Sequence, residues 1–148
     1  MAAETPRKIF VNLAVADLAR SVEFFNELGF AFDPRFTDET ATCMVVSDEA
    51  YVMLLLEDRF ADFTDKHLAD SKVQAEAIIA LSAASREEVD ELADKALAAG
   101  GGHAGDPQDM GFMYTRSFLD PDGHQWELVW MDPSAVESGP PAEARASS

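Results

Sequence analysis

Near the end of the chain, a carboxylate stands in the middle of an alternating apolar run. In Gln125-Trp126-Glu127-Leu128-Val129-Trp130-Met131, strand alternation puts Trp126, Leu128 and Trp130 on one face and Gln125, Glu127, Val129 and Met131 on the other. A carboxylate held among apolar groups can serve as a general acid or base near neutrality, which makes Glu127 the leading catalytic candidate. The plain alternative is a solvated or hydrogen-bonded acid with no task. The preceding arm places Tyr114 and Arg116 on one face with Phe112 and Phe118. A phenol and a guanidinium among aromatics can grip an anionic or planar ligand, the guanidinium in bidentate fashion. Against that stands an edge-strand surface on which Arg116 simply pairs with one of many acids. Asn12 offers an amide to a ligand carbonyl or hydroxyl, or satisfies itself against a neighbouring strand. His124 directly follows a turn and is expected in solvent, while His67 and His103 fall in connecting segments and take no role.

These residues need elements to position them. Gly111 to Asp132 reads as a β-hairpin whose turn, Asp120-Pro121-Asp122-Gly123, combines a fixed and a permissive backbone position. Upstream, the run Asp48 to Asp58 matches Asp122 to Asp132 in pattern, so the chain looks internally duplicated and Met53 is the counterpart of Glu127. Lys8 to Val15 is a strand, and Asp17 caps a helix whose apolar positions Leu18, Val22, Phe25 and Leu28 end at Gly29. Phe30 to Phe36 is a short strand broken by Pro34, followed by strands over Ala41 to Val46 and Tyr51 to Glu57. The same order returns from Ala75 to Ala83. There Ser85 and Glu88 make a capping box, Val89, Leu92, Ala93, Ala96 and Leu97 form the helical stripe, and Gly100 to Gly102 end the helix. His103 to Met110 is turn-rich, with room for a short strand. The expected organisation is therefore a βαβββ module over 1–57, a connector over 58–74 with one short helix, a second βαβββ module over 75–132, and a disordered tail over 133–148.

Composition narrows the partners. Eleven basic against 28 acidic residues give a formal charge of -17, so nucleic acid and anionic membranes are not expected to bind. The single cysteine, Cys43, lies in an apolar run and reads as buried filler; it rules out an intramolecular disulfide and fits a reducing compartment. No apolar stretch reaches the roughly 20 residues of a bilayer span, and MAAETPRKIF lacks a signal-peptide core, so a soluble, cytoplasmic protein is expected.

The segments Phe10 to Leu18, Ser21 to Phe30 and Asp120 to Leu128 together resemble the vicinal oxygen chelate superfamily, which includes glyoxalase I, bleomycin-resistance proteins, fosfomycin-resistance enzymes and extradiol dioxygenases. The resemblance implies an α+β fold in which two tandem βαβββ modules form a half-open barrel around a cleft, with a homodimer as the usual assembly. In its metal-dependent members the ligands sit at positions that here hold Asn12, Met53, Ala80 and Glu127. Only Glu127 matches the usual ligand, Asn12 offers a weak amide oxygen, and Met53 and Ala80 offer no hard donor to a divalent metal. The expectation is therefore a protein that binds a small molecule in the cleft without a cofactor or a complete metal site, using Glu127 as acid or base and Asn12, Met53, Tyr114 and Arg116 as contacts. The alternatives are a metal-dependent lyase or dioxygenase-like enzyme using Glu127 and Asn12, and a non-catalytic dimeric interaction module.

Overall fold

The computed structural model describes residues 5–139. In chain order its elements are β1 (Ile9–Val15), α1 (Leu18–Glu27), β2 (Ala31–Phe32), a 3-10 turn (Pro34–Phe36), β3 (Ala41–Val45), β4 (Ala50–Leu56), α2 (Glu57–Ala61), β5 (Ile78–Ser82), α3 (Arg86–Ala98), β6 (Gly102–His103), β7 (Gln108–Asp109), β8 (Met113–Leu119), β9 (Gln125–Met131) and α4 (Pro133–Ser138).

Chain contacts divide these elements into two units between Asp70 and Ser71. In the first, the sheet order is β1-β4-β3-β2, with β1 parallel to β4 and the remaining pairs antiparallel. In the second it is β5-β9-β8-β6, again with the first strand parallel to the last, and β7 adds a further short pairing to β8. The first unit is thus βαβββ, the second follows the same plan with the two-residue β7 added, and both sheets are open.

The long helices are bounded alike. Asp17 accepts the Arg20 amide at the start of α1, and Ser85 accepts the Glu88 amide at the start of α3, each cap contributing about 1 kcal/mol. Glu88 reaches back to the Ala84 amide at 2.9 Å, one residue ahead of the usual partner in a capping box. At the far ends, Phe30 N–H reaches Phe25 O and Gly101 N–H reaches Ala96 O, across left-handed Gly29 and Gly100. This is the same Schellman closure in both units.

Each helix buries one stripe. α1 sinks Ser21, Phe24 and Phe25, and α3 sinks Val89, Ala93 and Ala96. Phe118 and Trp126 stack in parallel at 6.3 Å in the second core, both almost fully buried. Burying a side chain of the size of Phe118 or Leu128 stabilises by roughly 1.5–3 kcal/mol.

Several expectations need correcting. Only Ala31–Phe32 of the strand expected over Phe30 to Phe36 is extended, because Asp33 caps the Arg35 amide and Pro34 starts a 3-10 turn. β5 begins at Ile78 rather than Ala75. The connector's helix is α2, which continues directly from β4 and ends before Phe63 and Leu68. His103 to Met110 holds two short strands instead of one. The tail expected to be disordered from Pro133 opens as α4, since Asp132 accepts the Ser134 amide and Pro133 suits a first helical turn; residues 140–148 lie outside the described residues. Among the described residues no helix is long and apolar enough to cross a membrane.

Candidate functional site

Two cross-strand ladders occupy equivalent places in the two sheets. In the second unit, β9 lies between β5 and β8, and Glu127 is directly opposite Ala80 on one side and Ser117 on the other. In the first unit, β4 lies between β1 and β3, and Met53 is opposite Asn12 and Cys43. Directly opposed residues share a face.

The helices decide which face that is. Tyr114 donates to Asp90 of α3 at 2.6 Å, and Arg116 donates to Asp90 at 3.1 Å and to Asp94 at 2.9 Å. The face of β8 carrying Tyr114, Arg116 and Phe118 is therefore the face covered by α3, and register puts Trp126, Leu128 and Trp130 on it. Glu127, Ala80 and Ser117 alternate to the other face, away from α3. In the first unit, Thr42 lines a hollow with Leu18 and Val22 of α1. The Thr42–Leu54–Leu13 face is thus the helix side, and Asn12, Met53 and Cys43 lie on the opposite one, away from α1.

In the second unit, on the face away from α3, Glu127 is half-buried, with Ser117 Oγ 3.5 Å from its Oε2, a long contact in which the hydroxyl is the donor. Asn12 is exposed and its amide nitrogen donates to Phe10 O at 3.3 Å, so its carbonyl oxygen is the end left for another group. Met53 is half-buried, whereas Cys43 beside it is only 2% exposed, and burial pushes its thiol up.

Tyr114 and Arg116 stand elsewhere. Their face is not an edge surface open to ligands but the seam between β8 and α3, where the Asp90 and Asp94 carboxylates, one helical turn apart, take up both side chains. Asp90 is held below the usual carboxylate range, first by the Tyr114 hydroxyl and then, against some desolvation, by Arg116. The Tyr114 phenol is raised in turn by the same hydrogen bond to Asp90. A second seam closes the same face: Arg86, at the start of α3, is bidentate to Asp109 at 2.7 and 3.0 Å and lies over the rings of Tyr114 and Trp130. The Arg86 guanidinium lowers the Asp109 carboxyl to about 2.

The turn at the tip of the hairpin holds a group that strand alternation does not reveal. Asp120, 4% exposed, accepts from the backbone N–H groups of Asp122 and His124 through Oδ1 and from the Trp126 indole through Oδ2, each at 3.0 Å. His124 Nδ1 lies 3.0 Å from Asp120 Oδ2, so the imidazole expected in solvent is largely enclosed, its side chain 14% exposed. Burial works against its charged form but is outweighed by the hydrogen bond and charge of Asp120, with Asp122 adding to them, and the His124 pKa is raised. The turn is tight: a Cβ at Gly123, whose φ is +91°, would come 2.7 Å from Ser71 O.

Metal-ligand chemistry can be tested on both clusters. Among the described residues, Asp120, Asp122 and His124 form the one group of potential ligands, with donor atoms within 4.8 Å of one another. Both Asp120 oxygens already face N–H donors, so the set is built as a hydrogen-bonded lock and a cation would have to break it. At the positions where the resemblance places metal ligands, Met53 and Ala80 supply no oxygen or nitrogen. A hard divalent ion does not fit that set.

Two βαβββ units with open sheets, each backed by its own helix, define a known class of α+β protein. The family model of the Glyoxalase/Bleomycin resistance protein/Dioxygenase superfamily matches residues 9–128, and the chain belongs to that superfamily. Among solved structures, the hypothetical protein SA1046 from S. aureus is 25% identical, with a TM-score of 0.72 over 88% of this chain and 95% of its own. A glyoxalase-related enzyme from Fulvimarina pelagi shares 21% identity at a TM-score of 0.72, covering 85% of this chain and 88% of that one. The fosfomycin resistance protein FosX from Listeria monocytogenes shares 20% at a TM-score of 0.59, covering 88% and 92%. No curated protein matches the sequence.

Proposed function

We propose that the protein binds a small organic molecule on the uncovered face of its second sheet, with Glu127 as a general acid or base that works without a metal. The observation that carries this reading is the Ser117–Glu127–Ala80 ladder. It sets a half-buried carboxylate between a hydroxyl that can steady it and a methyl that leaves space, on the face α3 does not cover. A proton taken by Glu127 from one atom of the ligand and returned to another needs no co-reactant, so a proton-transfer isomerisation balances with this residue alone. Superfamily membership supports small-molecule chemistry, and the donor set at Asn12, Met53, Ala80 and Glu127 favours the metal-free form of it.

A thermal-shift screen of small aromatic acids, thiol conjugates and glycopeptides tests binding, because a ligand of the native state raises Tm when present well above its Kd. With a binder in hand, Glu127→Gln should leave folding intact and slow solvent-deuterium exchange into the ligand by about 10²–10⁴-fold. Unchanged exchange overturns the acid-base role. A stoichiometric divalent ion in protein purified without chelator, lost in Glu127→Gln, would replace this reading with a metal-dependent lyase or dioxygenase. We also propose a homodimer, supported by the exposed apolar residues Ile9, Phe10 and Ile78, which are 58%, 52% and 56% accessible, and checked by sedimentation.

A further inference from the structure

We propose that Thr115 holds the oxygen of the ligand on which Glu127 acts, and that this ligand is an uncharged carbonyl compound with a hydrogen on the carbon beside its carbonyl group. The inference rests on the acid-base reading of Glu127 and names the substrate class for that same site.

Thr115 is 6% exposed, and its hydroxyl has no hydrogen-bond partner among the described residues. The other buried polar residues, Ser21, Thr42, Asp120 and Asp122, all have partners. Among the described residues no fully enclosed side-chain oxygen or nitrogen is left unpaired, so the little surface that Thr115 keeps includes its hydroxyl. A hydroxyl so placed costs stability until a partner reaches it.

Register puts that hydroxyl on the face of Glu127. Thr115 is two residues before Ser117 on β8 and opposite Val129 on β9, so it shares the side of the sheet away from α3 and is diagonal to Glu127. The two hydroxyls differ in their protons: Ser117 gives its own to Glu127, whereas that of Thr115 has no acceptor. A free, buried donor calls for an acceptor on the ligand.

The face also restricts the ligand's charge. Apart from Glu127, β5, β8 and β9 present on it only hydroxyl, amide, thioether and hydrocarbon groups. Both arginines among the described residues of this unit are tied to carboxylates on the α3 side, Arg86 to Asp109 and Arg116 to Asp90 and Asp94. A ligand carboxylate or phosphate would meet Glu127 with no cation from this sheet to offset it, whereas a carbonyl oxygen accepts the Thr115 proton and brings no charge. Diagonal neighbours across a sheet are roughly 7–8 Å apart, which leaves room for one H–C–C=O unit with its oxygen on Thr115 and its hydrogen on Glu127. When the C–H bond breaks, Glu127 takes the proton and the electron pair forms a C=C bond, moving charge onto the oxygen that Thr115 holds. Glu127 then returns the proton to another atom of the same unit, and nothing else is consumed.

The probe is benzylacetone, added to the full chain and followed by amide chemical shifts and by infrared difference spectroscopy of its C=O stretch. Saturable shifts at residues 113–119 and 125–131 are expected, with weaker binding of hydrocinnamate, the matched anion. Thr115→Val keeps the side-chain shape and removes an unpaired hydroxyl, so its Tm should equal or exceed that of the native chain. It should nonetheless weaken benzylacetone binding about three- to tenfold, raise the bound C=O stretch above that of the native complex, and slow deuterium exchange beside the carbonyl about 10²-fold. Thr115→Ser should behave as the native chain in all three. A bound stretch identical in native and Thr115→Val chains, a Tm lowered by Thr115→Val, tighter binding of hydrocinnamate, or no saturable shift with benzylacetone would each overturn the proposal. Exchange that depends on Glu127 but not on Thr115 would sink this assignment and leave the acid-base reading standing. A Thr115-dependent stretch with exchange indifferent to Glu127 would do the reverse.

Discussion

The two units share a plan but differ where it counts for chemistry. Across the first sheet the central ladder reads thioether, thiol and amide (Met53, Cys43, Asn12); across the second it reads carboxylate, hydroxyl and methyl (Glu127, Ser117, Ala80). The strand-linking turns diverge in the same direction. Val46 N–H bonds to Ala50 O at 3.0 Å and Asp120 N–H bonds to His124 O at 3.0 Å, the same closure, yet only the second turn is organised by a buried acid. The two units thus share a strand pattern and differ in the side chains that the central ladder presents. At the ladder and the turn, the carboxylates lie in the second unit.

Breaking that asymmetry should cost most at the turn. Asp120→Ala strips the partner from a buried indole N–H and two backbone N–H groups, and should lower stability by about 3 kcal/mol, whereas Ser47→Ala in the first turn should stay within about 0.5 kcal/mol. Urea unfolding of the two variants gives the contrast, and equal losses would mean the turns are equivalent after all. Next comes the ladder: Met53→Glu plants a carboxylate beside buried Cys43 and should cost about 1–3 kcal/mol, while Glu127→Met should cost less than about 1 kcal/mol. The difference in urea midpoint between this pair measures how far the faces have specialised. At the α3 seam, Tyr114→Phe removes one bond to a carboxylate that is half in water and should cost about 1 kcal/mol by the same assay.

The smallest effect is a pH dependence. His124 has a raised pKa in the folded state, so its contribution is fully present below the unfolded imidazole value and is lost as pH rises through the higher folded value. Native protein should therefore show a modest stability decline on the alkaline side of the ordinary histidine range, and His124→Asn should flatten it. A decline of equal size in that variant would assign the effect to another group.

Much of this plan was legible in the chain itself. Asp17, Ser85, Gly29 and Gly100 announce helix boundaries because caps are local, and the Trp126–Leu128–Trp130 alternation announces a strand because its period is short. The orientation of Glu127 relative to Trp126 followed from the same period. What escaped depended on partners distant in sequence. Alternation puts Tyr114 and Arg116 together, but only Asp90 and Asp94, presented one turn apart by α3, decide that their face is covered. His124 looked exposed because the residues after a turn usually are, and Asp120 looked like a turn former because its reach to Trp126 crosses the hairpin. A signal was present there: an aspartate two residues before another amide in a tight turn is a ready acceptor for it. The α4 helix was missed although Asp132 and Pro133 are start signals, since the composition that follows them outweighed two residues.

Ser71 donates to Asp122 O at 2.7 Å, and its backbone fills the space beside Gly123. Anyone isolating the second half of the protein should therefore cut upstream of Ser71 and not at the first residue of β5. A fragment trimmed to Ile78 would unroof the tip of its own hairpin, and its poor behaviour would be mistaken for dependence on the missing half.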